Sequence, residues 1–222
     1  MNTVTRKLIV KEMFVNRWFI ASSVVAGVAS IGLAATSKVG FNIGSLTWIT
    51  TIVAVGVMLA LYGIMNERKE NSLLFVLSLP LSIHDYVRAK QLGLAACFAI
   101  PWLASSAAAV IFVLVHPDAP DGLLPYLTLL CVFLLTNYSV VLCGALHARS
   151  EALVSAVIIV TNMAVTLFMF LIGGIEDING HMWGPVPVWN QSFWTVLTVE
   201  GITLVLAFSL PYVFAARRRD FI

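Results

Sequence analysis

Hydrophobic residues along this chain fall into six long runs separated by short polar stretches. A bilayer core needs about 20 mostly apolar residues per helix, and lipid offers no partner for an unpaired backbone group. Each run therefore predicts one membrane-spanning helix, and the predicted spans are residues 18–36, 46–65, 92–115, 124–146, 152–173 and 195–216. The pattern predicts an all-α polytopic membrane protein with six transmembrane helices.

The connections between these runs are too short for a second folded domain, so residues 1–222 are expected to form a single transmembrane domain. An N-terminal segment alternates basic and apolar residues, and we expect a helix lying on the membrane surface there. The pieces outside the spans are this N-terminal segment at 1–17, an internal segment at 66–91, a loop at 174–194 and a tail at 217–222.

The composition leads to the same class of protein. Of the 222 residues, 60% are hydrophobic and 11% are charged, whereas a soluble domain carries charge on roughly a quarter of its residues. Disorder is excluded by the same figures. A disulfide-stapled secreted fold is excluded because the 3 cysteines, Cys97, Cys131 and Cys143, all lie in apolar runs.

The positive charges indicate the orientation of the spans, because Lys and Arg in short loops stay on the cytoplasmic side of a membrane. With the N-terminus in the cytoplasm, all of the 13 Lys and Arg residues except Lys38 fall on that side. This asymmetry requires an even number of spans with both termini cytoplasmic, which agrees with the hydrophobic pattern.

The most informative polar stretch follows the second span and reads NERKENSLLFVLSLPLSIHDYVRAKQLG. After its charged cluster, Asn71 and Ser72 are good N-cap residues for an apolar run that is too short to cross the membrane. Pro80 ends this helix because it lacks an amide proton and disfavours a helical conformation at the residue before it. The pattern predicts a short cytoplasmic helix, and a new helix that starts near Ser82 and runs into the third span.

Two interpretations of this short helix are open on the pattern alone. It could be an interfacial turn whose leucines dip into the headgroups while Arg68, Lys69, Arg88 and Lys90 meet anionic lipid. Alternatively, it could dock into a cleft of a cytoplasmic partner and pass the partner's motion to the second and third spans.

The run ERKENSLLFVLSLPLS, followed by Tyr-Val-x-x-Lys-x-x-Gly, resembles the signature of ABC type-2 transporter permeases, the membrane subunits of many bacterial exporters. The sequence differs from the usual wording at Asn71 and Ser72, where Gly-Thr is commoner, and at His84 and Asp85, where basic residues are frequent. The matching positions are Glu67, Arg68, Glu70, Leu73, Leu74, Leu77, Leu79, Pro80, Ser82, Lys90 and Gly93.

This resemblance implies that the segment is a coupling helix that docks on an ATPase. The docking residues would be Glu67, Arg68, Glu70, Asn71, Ser72, Leu73, Leu77, Leu79, Pro80 and Ser82. It also implies a multi-pass protein of the bacterial inner membrane, with a second permease half, identical or homologous, and separate cytoplasmic ATPase subunits that carry ATP and Mg²⁺. No cofactor, metal or nucleic acid is expected on this chain. It lacks a Gly-x-x-x-x-Gly-Lys-Ser/Thr phosphate loop and is therefore not expected to hydrolyse ATP itself.

Polar residues inside the spans are candidates for lining a translocation path, since they are costly in lipid. Asn137 falls near the middle of the fourth span and Asn162 near the middle of the fifth. Each could line a path or hydrogen-bond to a neighbouring helix. Glu200, inside the outer end of the sixth span, could also line a path, but we expect its carboxylate to reach outward to water.

Two further patterns leave alternatives open. Small residues four apart in the first span, such as Ser23 with Gly27 and Ser30 with Ala34, predict close packing against another span or another protomer. The loop at 174–194 could contain a short helix or form an irregular interfacial loop, because Gly184, Pro185 and Pro187 interrupt it.

The leading hypothesis is that the chain is the permease subunit of an ATP-driven exporter, which moves an unidentified substrate by alternating access. An ion-coupled secondary transporter should show a deeply placed ionisable pair or broken helices, and neither is evident. A non-catalytic anchor subunit of a larger complex is a further alternative. An enzyme is disfavoured because the 4 histidines are scattered and no catalytic or metal-ligand spacing is present.

Overall fold

The computed structural model describes residues 3–65, 83–117, 119–148 and 150–217. These residues form helices and turns and no strand, and six of the helices are long and apolar enough to cross a membrane. The helices are α1 (Thr3–Val15), α2 (Arg17–Ala34), α3 (Lys38–Ala60, continued by a π turn at Leu61–Met65), α4 (Ile83–Val115), α5 (Leu123–His147), α6 (Glu151–Gly173), α7 (Glu176–Met182) and α8 (Gln191–Arg217). The predicted all-α polytopic architecture is confirmed.

Because the number of spans is even, α1 and the end of α8 lie at the same end of the bundle. We call this end the terminal face, and the opposite end, which carries α7, the loop face. The spans themselves are α2, α3 with its π turn, α4, α5, α6 and α8.

Two spans begin eight or nine residues before the predicted hydrophobic runs. Helix α3 begins at Lys38 because the hydroxyl of Ser37 accepts a hydrogen bond from the amide of Gly40 at 3.0 Å and caps the helix there. Helix α4 begins at Ile83, close to the start predicted from Ser82, and continues without a break through residues 83–91 into the third span, as the sequence predicted. Hydrophobicity thus locates the apolar middle of each helix, while capping and continuation through polar residues set its ends.

The N-terminal segment forms the expected helix, α1, which packs against the start of α4. Thr5 and Glu12 are buried at this contact, whereas Phe14 and Val15 are exposed. The helix ends where the side-chain amide of Asn16 donates to the carbonyl oxygen of Glu12 at 2.9 Å. A short break at Asn16 therefore separates the N-terminal helix from the first span.

Helices α4 and α5 form the centre of the bundle, and α5 contacts α3, α4, α6, α7 and α8. The indole of Trp102 donates to the carbonyl of Cys131 at 2.9 Å. The hydroxyl of Tyr138 donates to the carbonyl of Leu94 at 3.0 Å, and its ring stacks on Phe98 with the centroids 3.9 Å apart. Polar ends of large aromatic side chains therefore join the two central helices through backbone oxygens.

The small residues of the first span pack within the same chain. Gly44 of α3 lies against the backbone of α2, where an added Cβ would lie 2.5 Å from the carbonyl oxygen of Ser30. Earlier along α2, Gly27 faces Ser105 of α4. The four-residue spacing thus serves contacts of α2 with α3 and α4, which selects the first of the two alternatives left open by the sequence.

The loop at 174–194 contains both of the structures that the sequence left open. Its first half is the short helix α7, and the residues after it form turns and extended chain up to α8. Ile178 of α7 packs with Leu129, Ile172 and Phe193 in a small buried cluster. Helix α7 is therefore held on the loop face by apolar contacts with α5, α6 and α8.

Candidate functional site

The predicted docking residues, from Glu67 to Ser82, lie outside the residues that the structure describes. The structure does describe the two flanks of this segment, which are the end of α3 and the start of α4. Both flanks lie at the terminal face, beside α1. They are the two points at which residues 66–82 join the membrane helices.

On the first flank, α3 ends in the π turn at Leu61–Met65, a wider turn than an α-helix makes. Ile64 points into the core, whereas Tyr62 is 62% exposed. Turns of this kind are rare and occur frequently at functional sites. The polypeptide therefore leaves the second span through a local irregularity of the helix.

On the second flank, a buried ion pair joins α4 to α1. The ammonium of Lys90 lies 2.9 Å from a carboxylate oxygen of Glu12, and the two side chains are only 4% and 11% exposed. Gly93, one turn further along α4, lies against the same glutamate, whose Cγ would be 2.9 Å from an added Cβ. The charge of Lys90 is enclosed between two helices, so the interpretation in which Lys90 meets lipid headgroups is wrong. Arg88, which was part of the same interpretation, is exposed.

Next to Lys90, Gln91 joins the same turn of α4 to α8. Its side-chain amide donates to the carbonyl of Phe208 at 2.9 Å, and the residue is 1% exposed. The first turns of α4 are thus fixed to α1 on one side and to α8 on the other. Neither Glu12 nor Gln91 was identified from the sequence, although Glu12 is the one acidic residue of the basic segment 1–17.

Two of the three candidate path-lining residues border the same cleft. Asn137 of α5 and Asn162 of α6 both border a narrow cleft that is also lined by Gly56 of α3. Asn137 is 7% exposed, while Asn162 lies at the outer surface of the chain. Neither side-chain amide is hydrogen-bonded to another residue in the described ranges, so these ranges give no support to the interhelical hydrogen bonds.

Glu200 lies elsewhere, on the face of α8 that packs against α5. The hydroxyl of Thr136 donates to its backbone carbonyl at 3.5 Å, and the buried residues Phe193 and Ala207 lie on the same face of α8. Glu200 is 5% exposed, and within the described chain both of its carboxyl oxygens are buried without a hydrogen-bond partner. The expectation that this carboxylate reaches outward to water is therefore wrong, and a buried carboxyl without a partner is a candidate for binding a proton or a cationic group.

A cavity of about 400 Å³ opens at the terminal face, between α1, the end of α3 and the start of α4. The buried pair of Lys90 and Glu12 forms part of its lining. The other lining residues are Lys11, Val15, Asn16, Phe19, Met58, Leu59, Tyr62 and Gly63. The cavity thus adjoins both flanks of the predicted coupling segment.

No family model matches the chain, and no curated protein matches it. Within the described residues, no group of three or more His, Cys, Asp or Glu side chains is placed to hold a metal ion.

Proposed function

We propose that this multi-pass membrane protein is the permease subunit of an ATP-driven exporter of the ABC type-2 class, located in the bacterial inner membrane. ATP and Mg²⁺ would bind to a separate cytoplasmic subunit, and a second permease half would complete the path. One structural observation supports the proposal beyond the sequence resemblance: the ion pair and hydrogen bond that fix the start of α4 to its neighbours.

A coupling element has to be attached stiffly to the helices that it moves. Removing one partner of a buried ion pair costs about 3 to 5 kcal/mol because the other charge stays buried, so separating Lys90 from Glu12 without another partner is unfavourable. The hydrogen bond from Gln91 to α8 adds a second attachment at the same turn. A displacement of residues 66–82 would therefore move α4 together with α1 and α8.

The first flank, the end of α3, differs in its backbone geometry. The π turn at Leu61–Met65 interrupts the regular hydrogen bonding of α3 next to the segment. Closure of two ATPase subunits would then tilt α4 relative to α3 and widen or narrow the cleft at Asn137, which α3 and α5 share.

Affinity purification of the full chain from its native host tests the proposal. Leu77→Asp is expected to reduce the amount of co-purifying ATPase at least tenfold, because a charge in an apolar docking surface leaves a desolvated carboxylate unpaired (about 1.4 kcal/mol per factor of ten). Val186→Asp is the matched control, since Val186 is 64% exposed on the loop face and the same change should leave the co-purifying ATPase intact. Retention of both the ATPase and substrate-stimulated ATP hydrolysis in Leu77→Asp would refute the coupling role.

One observation favours a second candidate function, an ion-coupled transporter. The carboxyl group of Glu200 is buried without a partner in the described chain, and ionisable groups at this depth commonly serve proton or ion pathways. Substrate uptake into inverted membrane vesicles distinguishes the ATP-driven exporter from the ion-coupled transporter. Uptake that needs ATP and resists a protonophore supports the exporter, whereas uptake without ATP that stops in Glu200→Gln supports ion coupling.

A further inference from the structure

Helix α6, the fifth span, carries a polar stripe on a surface that the rest of the described chain leaves uncovered. Ser155, Asn162 and Thr166 are all exposed, and the described residues give none of their side chains a hydrogen-bond partner. Asn162 is the central residue of α6, and Ser155 and Thr166 lie about 10 Å and about 6 Å from it along the helix axis. All three side chains therefore lie at the depth of the hydrocarbon core, which is about 30 Å thick.

Two exposed threonines on other spans show that this stripe is unusual. Thr50 of α3 and Thr198 of α8 each donate to the carbonyl oxygen four residues earlier in the same helix, at 2.8 and 2.7 Å. A hydroxyl bonded in this way is already satisfied when it faces lipid. The amide of Asn162 has two donor hydrogens and an acceptor oxygen, and hydrocarbon satisfies neither. The stripe thus requires a polar partner from outside the described residues.

The stripe belongs to a longer row of residues that we call the α6 seam. Its members recur alternately four and three positions apart, the repeat that keeps one side of a helix facing a second helix. They are Ser155, Ile159, Asn162, Thr166, Met169 and Gly173. At the last of these, an added Cβ would meet nothing within 4 Å in the described chain. A second helix can therefore pack along the seam from one end of α6 to the other.

A narrow cleft beside the seam provides a second observation. Asn162 borders this cleft from α6, and Asn137 of α5 lines it. Asn137 is 7% exposed, and its amide also lacks a hydrogen-bond partner in the described ranges. Two unpaired amides at one place in the middle of the membrane indicate a polar contact that is made from outside the chain.

A second copy of this chain fits the seam better than other occupants. Lipid tails have no hydrogen-bonding group, and a soluble protein does not reach the middle of a bilayer. In a two-fold dimer whose axis runs along the membrane normal, a residue on the axis meets the same residue of the other copy at the same depth. The amide of Asn162 both donates and accepts, so two such amides satisfy each other.

We propose that two copies of this chain pair through the α6 seam, with their Asn162 amides hydrogen-bonded to each other near the two-fold axis. Interhelical hydrogen bonds of asparagine are known to hold membrane helices together. As an assignment of the second permease half, this inference rests on the proposed function. The pairing itself rests only on the seam and the adjoining cleft.

Single-molecule photobleaching of the labelled full chain in liposomes, over a dilution series, measures the dissociation constant of the dimer. Asn162→Leu should weaken the dimer about tenfold, because it removes the hydrogen bonds between the two amides. Thr166→Leu should weaken it about twofold. Thr198→Leu is the matched control, since it makes the same change at an exposed position of α8, and it should leave the dimer unchanged. These positions are exposed, so the substitutions leave the core of the chain intact.

Disulfide cross-linking in membranes locates the contact. On oxidation with copper phenanthroline, Thr166→Cys should give cross-linked dimers well above the level of the unaltered chain, which has three cysteines of its own. Val160→Cys is the matched control, because Val160 is 65% exposed on a different side of α6 at a similar depth. It should not cross-link above that level.

Several outcomes would overturn the pairing. A dimer unaffected by Asn162→Leu, or cross-links from Val160→Cys in place of Thr166→Cys, would place the interface elsewhere. A monomeric unaltered chain would mean that the stripe contacts a different membrane protein. Each of these results would leave the ATPase test with Leu77→Asp unaffected. Conversely, a seam dimer that co-purifies with no ATPase would keep the pairing and remove its assignment as the second permease half.

Discussion

At the terminal face, α1 is joined to α4 by an ion pair enclosed between helices, whereas at the loop face α7 is joined to α8 by hydrogen bonds that water reaches. Lys90 and Glu12 are 2.9 Å apart and almost fully buried. On the other face, Asp177 accepts hydrogen bonds from the side chains of Asn190 and Ser192, each at 2.6 Å, and all three groups are solvent-accessible.

The difference concerns how each face responds to loss of a contact. A buried charge that loses its partner keeps the full cost of desolvation, so the terminal face depends strongly on single residues. An exposed hydrogen bond that is lost is replaced by one to water, so the loop face is tolerant of single changes. Dependence on single polar contacts is thus concentrated beside residues 66–82, whereas α7 at the opposite end is held by a buried apolar cluster together with exposed hydrogen bonds.

The largest expected effect is at the terminal face. Lys90→Ala leaves the carboxylate of Glu12 buried without its partner and should lower the free energy of unfolding by about 3 to 5 kcal/mol. Heating the chain with a thiol-reactive dye measures this loss, because Cys97 and Cys131 are buried in the folded chain and react on unfolding. The double variant Glu12→Leu with Lys90→Met should recover most of the stability, and an equal loss in both variants would contradict the role of the ion pair.

The second effect tests a tight backbone contact of the loop face. The amide of Gly122 donates to the carbonyl of Gly184 at 2.9 Å, and a Cβ on Gly122 would overlap the carbonyl oxygen of His181. Gly122→Ala should therefore lower the free energy of unfolding by about 1 to 3 kcal/mol in the same dye assay. Gly180→Ala is the matched control in α7, where an added Cβ meets nothing within 4 Å, and it should leave stability unchanged or raise it. Equal losses in the two variants would mean that steric overlap is not the cause.

The third effect lies between the two faces, at Glu200, which has neither kind of contact in the described chain. Glu200→Leu replaces an unpartnered buried carboxyl by an apolar side chain and should raise the free energy of unfolding by about 1 to 2 kcal/mol. Transport measured on the same variant sharpens the result. A more stable but inactive variant indicates a carboxyl kept for function, whereas a stable and fully active one removes Glu200 from the path.

The smallest effect is expected for an exposed hydrogen bond of the loop face. Ser192→Ala removes the hydroxyl that donates to Asp177 and should lower the free energy of unfolding by about 0.5 to 1 kcal/mol. A loss as large as that of Lys90→Ala would erase the difference between the faces. Thermal midpoints of the two variants in one detergent provide the comparison.

The six spans could be predicted from the sequence because the free energy of placing a helix in lipid adds up residue by residue along one segment. The start of α3 at Lys38 could not be predicted in this way, since it depends on the cap at Ser37. The start of α4 could be predicted, because the capping pattern at Ser82 marks it even though charged residues hide its first turns from a hydrophobicity pattern.

The contacts of the candidate site were harder to predict than the spans. The side chains of Lys90 and Glu12 are separated by 78 residues along the chain, and no local pattern joins them. The nearness of Asn137 and Asn162 follows more directly, because two consecutive helices place residues near their middles at the same depth. Docking of residues 66–82 on an ATPase stays a prediction.

The π turn at Leu61–Met65 makes the outgoing polypeptide sensitive to chain length. One residue accounts for about 100° of rotation around a helix axis, so deleting a single residue there would turn the direction in which the chain leaves α3 by more than a quarter of a circle. One codon gained or lost there could therefore re-aim the chain that leaves α3 while leaving the other five spans unchanged.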